Sequence, residues 1–108
     1  MIANLSLEEQ YMLLLDFFGE KVQNPFIDTD KMEIDCILYG SFIFKFGIEI
    51  PKGNFKGGIF LDSQHVVNNF QGEELSLTNT KESVLNNFKI IDLYCRLRLP
   101  DKFLSVYE

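Results

Sequence analysis

The stretch Met32-Glu33-Ile34-Asp35-Cys36-Ile37-Leu38-Tyr39-Gly40-Ser41-Phe42-Ile43-Phe44-Lys45-Phe46-Gly47-Ile48-Glu49-Ile50 decides the fold. Side chains along an extended chain point alternately to its two sides. In the first half Met32, Ile34, Cys36 and Leu38 therefore share one side, and Glu33 and Asp35 the other. In the second half Phe42, Phe44, Phe46, Ile48 and Ile50 line up against Lys45 and Glu49. A period of two sustained over both halves predicts two strands, each with one apolar face. Tyr39-Gly40-Ser41 lies between them as a turn, so the strands are antiparallel neighbours.

Downstream, Pro51-Lys52-Gly53-Asn54 supplies a second turn. Residues 55 to 62 then read as a third strand, loosened by Gly57 and Gly58. Leu75 and Leu77 alternate with polar neighbours, which adds a short fourth strand at residues 74 to 78. Upstream, Gln23-Asn24-Pro25 reads as a loop, because Pro25 lacks an amide donor and disfavours helix for Asn24.

Helices flank this meander. Ser6-Leu7-Glu8-Glu9 has the capping-box form, and Leu7, Tyr11, Leu14, Leu15 and Phe18 recur behind it at helical spacing. Gly19 weakens the end of that helix. A second, longer helix begins near Asn79 or Thr80, with Val84, Phe88, Ile91 and Cys95 as its main stripe. Pro100 disfavours helix for Leu99, so it stops by about Arg98, and a terminal turn carries Phe103, Leu104 and Tyr107. The expected fold is one α+β domain over residues 1 to 108: an N-terminal helix, an antiparallel meander of three to four strands, and a long C-terminal helix packed on the sheet. Its core should contain Phe42, Phe44, Phe46 and Ile48 against Val84, Phe88 and Ile91.

Charge narrows the function classes. Sixteen acidic residues against ten basic ones give a net charge of -6, and the chain has no basic cluster. Phosphate neutralisation needs such a cluster, so direct nucleic-acid binding is disfavoured. The excess is early: residues 1 to 54 hold nine acids and four bases (-5), and residues 55 to 108 hold seven acids and six bases (-1). Asp28, Asp30, Glu33 and Asp35 fall within eight positions. Strand periodicity puts Glu33 and Asp35 on one solvent-facing side. The plain alternative is an ordinary solvated face. The sharper one is a docking patch for a cationic protein, because clustered charge raises the encounter rate and rejects wrong partners.

No coherent chemistry is visible, and the expectation is a protein that is not an enzyme and holds no cofactor or metal. His65 is the sole histidine. Asp62 and Ser63 stand near it, but a catalytic triad is defined by geometry, and three polar residues after a strand arise by chance. One His with two distant Cys gives no zinc spacing. The acidic stretch lacks the glycine of a calcium loop. Gly53-Asn54-Phe55-Lys56-Gly57-Gly58 leads into a strand rather than a helix, so a hairpin turn followed by a bulge explains it better than a phosphate loop. Cys36 and Cys95 fall in apolar stretches and read as reduced core residues, which suits the cytoplasm. No signal peptide is expected, and the longest uncharged apolar stretch is far short of the ~20 residues of a membrane helix.

The capped first helix, the Phe- and Ile-rich meander and the closing segment Asp92-Leu93-Tyr94-Cys95-Arg96-Leu97-Arg98-Leu99-Pro100-Asp101-Lys102-Phe103 together resemble immunity proteins of bacterial contact-dependent inhibition and related polymorphic-toxin systems. The resemblance implies a small cytoplasmic protein that binds a cognate toxin domain, often a nuclease, and occludes its active site or substrate path. It transfers no functional residue. A basic nuclease surface would suit the acids Asp28, Asp30, Glu33 and Asp35, with Tyr39 and Phe60, out of phase with the apolar stripes, as aromatic anchors. Two other classes stay open. One is a small-molecule binder or enzyme with a pocket between helices and sheet. The other is a self-associating adaptor or homodimer that pairs through the broad apolar stripes of its helices.

Overall fold

The computed structural model describes residues 4–62, 64–67, 69–70 and 72–107. Helix α1 (Leu7–Phe18) leads through a 3-10 turn (Gly19–Lys21) into the strands β1 (Val22–Asp28), β2 (Glu33–Leu38), β3 (Phe42–Glu49) and β4 (Asn54–Phe60). Three two-residue strands follow, β5 (Val66–Val67), β6 (Asn69–Phe70) and β7 (Glu73–Glu74), and then helices α2 (Lys81–Leu97) and α3 (Asp101–Leu104). Strands β1 to β5 form one antiparallel sheet in chain order, and β6 pairs with β7. The α+β meander is as expected, but the main sheet has five strands rather than three or four.

The extra strand at the start is the segment read as a loop. Gln23, Asn24 and Pro25 belong to β1, which is an edge strand, where a residue without an amide donor breaks no ladder bond. The register jumps between Gln23 and Phe26, and Asn24 at φ 52° bends the chain through that bulge. At the other end of the chain, residues 75 to 78 are not a strand. The Asn87 side chain of α2 accepts from Ser76 N–H at 2.8 Å and donates to Ser76 C=O at 2.9 Å, so it takes the backbone groups that a ladder would use. Gly57 and Gly58 make no bulge either, because β4 pairs with β3 in unbroken register. They are glycines because neighbours press on them: a Cβ at Gly57 would lie 2.7 Å from Phe46 Cβ, and one at Gly58 2.6 Å from the Val67 carbonyl oxygen.

The helices start where their caps predict. Glu9 N–H donates to Ser6 Oγ at 3.1 Å while Ser6 N–H donates to Glu9 Oε1 at 2.9 Å, and Thr80 caps α2 through Ser83 N–H. Both long helices lie on one face of the sheet and meet it through phenylalanine. Phe18 stands 6.4 Å from Phe44 and 5.5 Å from Phe88, and Phe88 is 5.2 Å from Phe46, ring centre to ring centre. Phe44, Phe46, Ile48, Val84, Phe88 and Ile91 are buried as expected. Phe42 is half-buried against Tyr94, and Ile50, beyond the end of β3, is exposed. A buried amide pair ties the layers together: Gln10 Nε2 donates to Asn79 Oδ1 (2.8 Å) and Gly47 C=O (3.3 Å), and Asn79 donates to Leu5 C=O.

Candidate functional site

Register, not distance along the chain, assembles the candidate site. With Ile34, Cys36 and Leu38 facing the helices, the intervening side chains of every strand face away from them. Cross-strand pairing arranges these into three rows: Gln23, Ile37, Ile43, Phe60 and Val66; Phe26, Asp35, Lys45 and Gly58; Asp28, Glu33, Gly47 and Lys56. Among the described residues no helix covers this face, and Phe26, Ile43 and Val66 are 60%, 44% and 44% exposed.

Of the residues expected to bind, Asp28, Glu33, Asp35 and Phe60 lie on this helix-free face, and Asp30 lies in the turn at its β1–β2 end. The first of them has a structural task as well: Asp28 Oδ1 accepts from the backbone N–H of Asp30 and of Lys31, each at 3.1 Å, and so shapes that turn. Glu33 and Asp35 are half-buried, two positions apart on β2. Loss of solvent raises the Glu33 pKa, and Asp35 beside it raises it further, while Lys56 and Lys45 pull it down. Asp35 Oδ1 is buried with no hydrogen-bond partner among the described residues. Both lysines lie along the face: Lys45 Nζ stands 4.8 Å from the centre of the Phe60 ring, and Lys56 Nζ donates to Lys31 C=O at 2.9 Å.

Tyr39 is a correction. It is fully buried, and its hydroxyl donates to Asp92 on α2, so it belongs to the core and cannot anchor a partner from the surface. Burial and the Asp92 carboxylate both raise its pKa. Its place at the end of β2, under α2 and against Tyr107 (5.2 Å), explains why it is out of phase with the apolar stripe. The apolar residues Ile37, Ile43 and Val66 give no signal of their own, because on its side of the strand each stands beside polar side chains, Ile37 next to Asp35 and Ile43 next to Lys45. Only the pairing of four strands joins them into a row.

The other candidates lie elsewhere. His65 Nδ1 is 2.8 Å from Asp62 Oδ2 in an exposed turn. The Asp62 pKa is lowered, first by the Gln64 N–H and then by His65. Ser63 lies outside the described residues, so no triad can be traced. Burial pushes both Cys36 and Cys95 up to about 12, which keeps them as thiols. The helix–sheet interface expected to hold a ligand in the pocket alternative is filled by the phenylalanine cluster. A hollow of about 340 Å³ lies instead on the outside of α2, under Phe70 and between Lys89 and Tyr94. Among the described residues, no group of three or more His, Cys, Asp or Glu is placed to hold a metal ion, and no helix is long and apolar enough to cross a membrane. No protein-family model, curated protein or solved structure matches this chain.

Proposed function

We propose that this chain is an immunity protein that binds a basic toxin domain, of the nuclease kind, and blocks access to its active site without chemistry of its own. The observation that carries the reading is the corner of the helix-free face where Asp28, Glu33 and Asp35 converge from two strands, with Asp30 at the adjoining turn, in a chain of net charge -6. Phe26, paired with Asp35 across β1 and β2, sets apolar surface beside those acids, and Phe60 lies two strands further on, under Lys45. Such a surface matches a phosphate-binding partner in sign, and aromatic contact beside the charges slows dissociation. Protection would take place in the cytoplasm.

The test is co-purification with the product of the adjacent upstream gene, followed by a growth-protection assay. Stable one-to-one binding and protection are expected. Failure of that product either to bind or to lose toxicity overturns the reading, and a small molecule retained by the purified protein would favour a ligand-binding domain instead.

A further inference from the structure

The helix-free face is two-signed. Its acids, Asp28, Glu33 and Asp35, lie on β1 and β2, whereas its lysines, Lys45 and Lys56, lie on β3 and β4. A uniformly basic surface satisfies one half of it. Another surface with the same split, turned round, satisfies both.

We propose that a second copy of this chain docks on this face, the two sheets packing face to face about a two-fold axis that runs along the strands between β2 and β3. Rotation about that axis lays β2 over the partner's β3 and β1 over the partner's β4, and it keeps each cross-strand row opposite the same row. Asp35 then faces the partner's Lys45, and Asp28 faces the partner's Lys56. In the apolar row Ile37 meets the partner's Ile43. Phe26, the most exposed apolar side chain of the face, comes over the partner's Gly58, which is roofed by the Val66 methyl that a Cβ there would strike at 2.7 Å. Every contact occurs twice. Aligned face-to-face packing is a standard arrangement for twisted antiparallel sheets, with a spacing of about 10 Å that side chains of these lengths span.

Size sets the expected strength. Four strands facing four, about 4.8 Å apart and some seven residues of about 3.4 Å long, give an overlap of roughly 19 by 24 Å, or about 460 Å² per partner; β5 extends beyond it. That is well below the ~800 Å² per partner of a standard stable interface, so the dimer should be weak and concentration-dependent, with a dissociation constant in the high-micromolar range. The inference does not rest on the toxin reading and is tested on the purified chain alone. A toxin held by Asp28 and Asp35 would have to part the pair.

Sedimentation velocity between about 1 and 500 μM should show the mass rising from one chain to two. Ile43→Asp places a charge against an isoleucine near the axis and should weaken association at least tenfold. Asp35→Lys and Lys45→Glu, made separately, should each do the same, since each puts like charges opposite one another twice. An equimolar mixture of those two variants should restore the dimer, because in the mixed pair every acid again faces a lysine. Circular dichroism melting establishes that the variants fold, and if Ile43→Asp does not, the charge-swap mixture decides alone. A wild-type chain that stays monomeric throughout overturns the proposal. So does a dimer indifferent to these changes, or a mixture of the two charge variants that fails to associate.

Discussion

At Gly47 a Cβ would lie 2.1 Å from the Met32 carbonyl oxygen and 2.9 Å from Glu33 Cα, both backbone atoms that cannot swing aside. Met32 adopts φ 52° there, and Ile48 N–H donates to its carbonyl, so the start of β2 presses directly on β3. Gly47→Ala should therefore cost at least the ~1–3 kcal/mol of ordinary overpacking in urea denaturation. Phe44 sets the other limit. It is fully buried among Phe18, Phe46 and Phe88, and Phe44→Ala should cost about 3–5 kcal/mol. A loss below about 1 kcal/mol would take it out of the core. Glu33 predicts a pH effect. Its folded pKa is raised above 4.5, chiefly by burial, so the folded state holds the proton more tightly than the unfolded chain. Its favourable contribution is complete below pH 4.5 and is lost as pH rises through the folded pKa. Glu33→Gln should then raise the melting temperature at pH 7 and leave it little changed at pH 3.5, as the carboxyl is neutral in both states there.

Elements were legible wherever one segment carries its own signal. The capping box at Ser6 is such a signal, and Ser6→Ala should cost about 0.5–2 kcal/mol near neutral pH, by chemical denaturation. The Ser6 backbone N–H holds the Glu9 carboxyl below 4.5, so the Glu9 half of the box is present above that value and fades as pH falls through the lowered pKa. The period-two stripe of β2 and β3 and the 3.6-residue stripe of α2 were legible for the same reason. What escaped depends on partners distant in sequence. The bulged strand β1 reads as a loop because Pro25 argues against a strand until its edge position is known. Residues 75 to 78 alternate like a strand, and the amide that prevents one is supplied by Asn87, eleven positions after Ser76. Asn87→Ala should leave both Ser76 backbone groups without that partner and cost about 1–3 kcal/mol, with urea unfolding as the measure. The candidate site divides along the same line: its acids stand close together in the chain, and its apolar row exists only through register.

At the scale of the whole molecule, sheet and helices divide the labour. The helices and the inner face place nearly all their aromatic residues in the core, and the outer sheet face carries charged and exposed apolar side chains side by side. If that charge draws a basic toxin domain, it acts before contact, through the long-range field, and is screened over a Debye length of ~8 Å at physiological salt. Reversing Asp30, Glu33 and Asp35 to Lys, with Asp28 kept because its carboxylate shapes the β1–β2 turn, should slow association with the toxin about tenfold or more at low salt. It should also flatten the dependence of the association rate on ionic strength. If apolar contacts at Phe26 and Phe60 hold that complex, dissociation should change much less, and Phe60→Ala should show the converse: faster dissociation with an unaltered salt slope. Stopped-flow association at several salt concentrations separates the two. If the triple reversal leaves the on-rate and its salt slope as they were, the acidic corner plays no part in steering, and the toxin must be met on another surface.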